Sequence, residues 1–132
     1  MNIDPRFNGQ IFRKSHPMII AQNRQLASIL PVALAYASGG YSAGTVLARN
    51  TTSGQYQAYA AGGPSGTGTA ASILFEDVDV SEFAATSGTV FARGIFGGEV
   101  FQGKLIGLDA NAISNLNARS IIDATGASVL KF

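Results

Sequence analysis

The chain has no cysteine and no tryptophan, a single histidine, and few charges. Without cysteine there is no disulfide, no thiolate metal site and no catalytic thiol. His16 stands alone beside Pro17, and both a catalytic triad and a histidine-based zinc site need more partners than that. Charged residues make up 13% of the chain, against about 25% in an average globular protein. So little charge leaves little material for a fully solvated surface. Part of the surface is therefore expected to lie against other subunits or a large partner. The competing reading is a compact monomer rich in alanine and glycine. Long apolar runs are also missing. The longest, Ile29 to Ala37, contains Pro31 and is far too short to span a bilayer. The N-terminus carries Asp4, Arg6, Arg13 and Lys14 and lacks the basic-then-apolar order of a signal peptide. A soluble, unsecreted protein is expected. No Gly-Lys-Ser/Thr occurs, which removes a phosphate-cradling P-loop.

What is present is a short phrase stated twice. Residues 44–49 read Gly-Thr-Val-Leu-Ala-Arg and residues 88–93 read Gly-Thr-Val-Phe-Ala-Arg. A glycine opening a run of Thr, Val and Leu or Phe is how a strand leaves a turn. Two equivalent strands are expected, with Val46 and Ala48 matching Val90 and Ala92 on the core face.

With 132 residues, the chain has the size of one domain. Residues 1–28 show no sustained periodicity, and Pro5 and Pro17 block a helix. They carry Arg6, Arg13, Lys14 and Arg24 against Asp4 alone, whereas the remainder is mildly acidic. An extended N-terminal arm over 1–28 and a β-rich body over 29–132 are expected. Scattered apolar residues such as Ile11, Phe12, Met18 and Ile19 suit an arm that gains order on contact with something. Four unclustered basic residues are weak grounds for nucleic acid, and a segment lying along an acidic protein surface explains them equally well.

Within the body, strands are expected at 29–37, 44–49 and 55–59, with turns at 38–40 and 51–54. Residues 60–70 read as a mobile loop or Ω-type excursion. Residues 72–80 read as a strand, with Leu74 and Val78 on one face and Ile73 and Phe75 on the other. Glycine-punctuated short strands follow from 94 to 107, as in a small barrel. Asp109 is placed to cap a helix of two to three turns carrying Ile113 and Leu116. Gly126 makes a turn, and 128–132 is a closing strand. The fold class is mainly β (α+β): a small barrel or sandwich-like body with one short C-terminal helix and an extended arm.

Candidate chemistry is sparse. Gly66-Thr-Gly68-Thr-Ala-Ala71 matches a dinucleotide pattern, but a Gly-Pro-Ser loop precedes it and a strand follows, the wrong context. Glu76, Asp77, Asp79 and Glu82 form the one acidic cluster. A divalent cation site and a solvated or subunit-pairing strand end are the two readings, and alternation puts Glu76 and Asp77 on opposite faces. Asn50-Thr-Thr52 matches a glycosylation sequon without a secretory signal. Arg49 and Arg93 end the twin strands; pairing with a nearby acid is favoured over joint anion binding.

The stretches Ala43-Gly-Thr-Val-Leu-Ala-Arg49, Thr52-Ser-Gly-Gln-Tyr56, Ser72-Ile-Leu-Phe-Glu-Asp-Val-Asp-Val80 and Val90-Phe-Ala-Arg-Gly94, with the late helix, resemble the head decoration proteins of lambda-type bacteriophages over roughly residues 31–125. The resemblance implies a virion structural protein without catalysis. It would be a homotrimer on the outer surface of an expanded capsid, binding the major capsid protein and stabilising the head, and would pass through the host cytoplasm during assembly. It implies no cofactor, no metal, no small-molecule substrate, no membrane and no direct nucleic-acid contact. The implied capsid-binding residues are Arg6, Ile11, Phe12, Arg13, Lys14, Met18, Ile19 and Arg24, in an arm that could add a strand to an exposed capsid edge. Two other readings stay open. One is another virion subunit (tail tube, fibre or adaptor). The other is a small β-barrel binding a carbohydrate or nucleotide through Tyr36, Tyr41, Tyr56 and Tyr59.

Overall fold

The computed structural model describes residues 19–20, 27–86 and 88–132. Five strands form a closed barrel: β1 (Ser28–Ala35), β2 (Val46–Arg49), β3 (Tyr56–Ala58), β4 (Ala70–Leu74) and β5 (Thr89–Gly97), in the order β1-β3-β2-β4-β5. Closure removes the unpaired backbone rows that make an open sheet edge sticky. The long seam is β1 against β5, antiparallel from Ile29↔Ile95 to Ala35↔Thr89. The opposite seam is a single parallel pairing, Leu34↔Tyr56. Pro31 therefore falls on a stretch of β1 that pairs with β5 alone, where a missing N–H is tolerated.

The barrel interior is filled by Val32, Leu34, Leu47, Leu74, Val90 and Ala92, closed at one end by Tyr41, Val78 and Phe83. Gly94 faces the same space. A Cβ there would lie 2.6 Å from Ser72 Oγ and 3.0 Å from a Val32 methyl, so the interior has no room for a side chain.

A second sheet follows, with β6 (Glu99–Phe101), β7 (Arg119–Ile122) and β8 (Ser128–Lys131) in the order β6-β8-β7. It packs on the outer wall of the barrel. Ile73, Phe75 and Ile95 on the barrel meet Val100 and Leu130 on the sheet, with Ile113 and Leu116 from the helix at the margin. This explains why Ser72-Ile-Leu-Phe75 is buried without a break: the interior covers one face of β4 and the second core covers the other. Ile73, Leu74 and Phe75 each contribute roughly 1.5–3 kcal/mol by leaving water. Ile19 and Ile20 belong to this second core, and Ile20 bridges Val100. The expected arm is thus tied to the body at these two residues.

The expected barrel with one short helix is what the chain forms, and four local readings change. The twin phrases are not equivalent. Leu47 points into the barrel, whereas in the second copy Val90 and Ala92 do and Phe91 is 68% exposed. Val46 instead joins a third cluster with Ala70 and Ala112. The two copies flank β4 with opposite phase, and a register shift at Leu47/Ala48 accompanies the change. Strand β4 stops at Leu74 rather than running to Val80, although Leu74 and Val78 do share one core and Ile73 and Phe75 the other. The helix α1 (Ala110–Asn115) is shorter than expected. Asp109 caps it as expected, accepting from the Ala112 N–H at 2.7 Å, and Asn117 ends it in a left-handed conformation (φ 58°). The chain then becomes β7, which the sequence reading overlooks.

The 60–70 segment forms the Ω-type loop expected and is stitched by its own hydrogen bonds. Thr67 is buried, its hydroxyl donates to the Pro64 carbonyl at 2.6 Å, and Ala60 N–H donates to the Thr67 carbonyl at 3.0 Å. Thr51 N–H, donating to the Ser65 carbonyl at 2.8 Å, ties the loop to the β2–β3 turn.

Candidate functional site

The acidic cluster is dispersed into separate structural tasks. Glu76 is buried, and its Oε2 accepts both the Arg93 backbone N–H at 2.8 Å and the Arg93 Nε–H at 3.1 Å. The guanidinium carbon lies 4.9 Å from the centre of the Phe75 ring, so Arg93 is held by a charge on one side and a π-face on the other. Asp77 accepts from the Ala43 N–H at 2.8 Å, just ahead of the first phrase. Asp79 caps the 3-10 turn Val80–Glu82 in a capping box whose other half is Glu82. The Ser81 backbone N–H and hydroxyl hold the Asp79 carboxyl below its ordinary range. No group of His, Cys, Asp and Glu among the described residues could hold a metal ion.

The other motifs are likewise absorbed by the fold. Asn50 Oδ1 accepts from the Thr52 N–H at 2.9 Å and the Ser53 N–H at 3.2 Å, which builds the β2–β3 turn. The Gly66–Ala71 stretch runs from the Ω-type loop into β4, with neither the preceding strand nor the following helix of a dinucleotide site. Arg93 has the acidic partner expected of it; Arg49 is exposed at the end of β2.

The four tyrosines divide. Tyr59 donates to Asp109 at 3.0 Å, and partial burial and that carboxylate raise its pKa. Tyr56 stacks edge-on against Phe96. Tyr36 and Tyr41 alone share a cleft at the end of β1.

Of the eight arm residues expected to touch a partner, Ile19 is 3% exposed within the chain's own second core. Arg6, Ile11, Phe12, Arg13, Lys14, Met18 and Arg24 lie outside the described residues.

Exposed apolar side chains that the sequence reading missed lie on the body. Phe91 and Leu30 (53% exposed) project from the β1–β5 seam, and Ile122 (68% exposed) from β7. The signal for Phe91 was available: it alternates with Val90 and Ala92, and only one of those sets can face the barrel interior.

No curated protein and no solved structure matches the chain. Residues 18–121 match the family described as bacteriophage lambda head decoration protein D. The match spans the barrel, the helix and nearly all of β7. The family is one of phage structural proteins, which makes this chain a component of the virion capsid. The chain belongs to the bacteriophage lambda head decoration protein D family.

Proposed function

We propose that the protein binds the outer surface of an expanded phage capsid as a homotrimer and stabilises the head against disruption. The family match over residues 18–121 carries this reading. Two features of the chain support it. Its charge content of 13% suits a surface partly covered by other subunits. Phe91 on β5 and Ile122 on β7 are exposed apolar residues on different elements, and a ring of three needs two unlike patches that meet head to tail.

Capsid contact is assigned to the basic N-terminal arm, through Arg6, Ile11, Phe12, Arg13, Lys14, Met18 and Arg24, with the major capsid protein as partner. The arm would reach the shell from the body over 29–132. Burial of Ile19 and Ile20 in the second core makes them the arm's anchor. Three arms on one trimer add their contacts through effective concentration, so each need only be weak. The protein acts by binding and carries out no reaction.

The arm assignment is tested with a chain lacking residues 1–18, which leaves Ile19 and Ile20 in place. Loss of binding to expanded heads, with the trimer mass and melting temperature retained, is the expected result. Full binding by the shortened chain overturns the assignment.

A further inference from the structure

A cleft of about 480 Å³ opens where the end of β1, the turn after it, β3 and Ile106 meet. Its lining contains no Asp, Glu, Lys, Arg or His. Two of its polar groups are already committed: the Tyr41 hydroxyl donates to the Ala35 carbonyl at 2.6 Å, and the Thr45 hydroxyl to the Ser42 carbonyl at 2.6 Å. The hydroxyls of Tyr36 and Ser42 and the amide of Gln57 have no hydrogen-bond partner among the described residues. Beside them lie two apolar surfaces. The Tyr36 ring is held by an edge contact with Phe83, centroids 5.5 Å apart and planes at 77°. Ile106 is 50% exposed.

These features restrict the occupant. A charged ligand would give up hydration and meet no counter-charge. A wholly apolar ligand would cover two hydroxyls and an amide and leave them unpaired. A ligand that fits both kinds of surface is neutral, carries several hydroxyls, and presents one apolar ring face. The volume lies within the roughly 300–1,000 Å³ of small-molecule sites. We propose that this cleft is a binding site for a neutral saccharide, the pyranose face resting on Tyr36 and its hydroxyls meeting Ser42 and Gln57. The capsid role does not depend on it, nor it on the capsid role.

The test is saturation-transfer NMR on the full chain with glucose, galactose, N-acetylglucosamine and maltose as neutral probes and glucose 6-phosphate and glucosamine as charged ones. At least one neutral probe is expected to give saturable transfer. Gln57→Ala, at a half-buried position of β3, is expected to weaken it about fivefold, the loss of one ordinary hydrogen bond. Tyr36→Ala is expected to weaken it further; because Tyr36 touches Phe83, its melting temperature is measured alongside. The proposal is overturned if no neutral sugar gives transfer, if Gln57→Ala leaves the affinity unchanged, or if a charged probe binds more tightly than its neutral parent. It is also overturned if Gln57→Ala weakens binding to phage heads while no sugar binds, since the cleft is then a capsid contact.

Discussion

Glu76 holds Arg93 twice, accepting the backbone N–H and the side-chain Nε–H on the same oxygen. The pair links the chain just past β4 to the middle of β5. The carboxylate is buried while the Arg93 side chain is 41% exposed, so the two partners are not interchangeable. Arg93→Met leaves Glu76 with one donor in a buried site and should cost about 1–3 kcal/mol. Glu76→Gln keeps an acceptor for the backbone N–H and should cost less. Urea denaturation of both variants checks the order, and equal losses would mean that the charge contributes nothing.

The opposite phase of the twin phrases gives a second expectation. Leu47 is fully buried in the barrel, so Leu47→Ala should cost about 2–5 kcal/mol through lost transfer energy and the cavity left behind. Phe91, its counterpart in the repeat, is exposed on the barrel's outer wall. In the proposed trimer, Phe91→Asp should leave the folded barrel intact by circular dichroism and lower the solution mass to that of a monomer. Sedimentation analysis reads the mass directly. Unfolding by Phe91→Asp would mean that the copies share an inward face after all.

Gly44 opens the first phrase at φ +92°, and a Cβ there would run into the Lys104 carbonyl oxygen. Gly44→Ala should therefore destabilise by more than the roughly 1–2 kcal/mol of the left-handed conformation alone. Thermal melting checks it. A neutral result would show that the 102–104 turn moves away without cost.

The turn after β7 makes acid sensitivity measurable. The Asp123 carboxylate accepts from the Thr125 hydroxyl at 2.6 Å and the Ala127 N–H at 3.0 Å, and these bonds hold its pKa below the ordinary value. A depressed folded pKa stabilises above the unfolded pKa, about 3.9 for aspartate, and the contribution is lost as pH falls through the folded value. Asp123→Ala should thus be less stable than wild type at pH 6, and the gap should close as pH drops below about 4. Denaturation midpoints across pH 2.5–6 decide it, and a gap that does not change with pH would contradict the assignment.

Much of this fold is legible in the chain, and the exceptions have physical causes. The strands near 29–37, 44–49, 55–59 and 128–132 are announced by turn residues at their ends, and Asp109 announces its helix. The phase of Leu47 is not legible. Val46, Leu47 and Ala48 are buried in succession because separate cores cover both faces of β2, so alternation carries no information there. Strand β7 is hidden because Ser120-Ile121-Ile122 follows a helix signal without a proline or glycine between them. The break is made by Asn117 in a left-handed conformation, which asparagine adopts more readily than most residues. The acidic cluster is visible in the sequence, but its division into a buried pair, a loop clamp and a cap depends on contacts such as Asp77 with Ala43, 34 residues apart. The exposure of Phe91 depends on which face of β5 the barrel takes, and that is decided by pairing with β1 far along the chain.

Capsid stabilisation by the protein can be read in one titration. Purified protein is added to expanded, undecorated heads of the cognate phage, and bound protein and head disruption temperature are followed together. Saturable binding in multiples of three is expected, with a disruption temperature that rises until the sites are full. Heads that bind no protein, or that bind it to saturation and disrupt at an unchanged temperature, would contradict it.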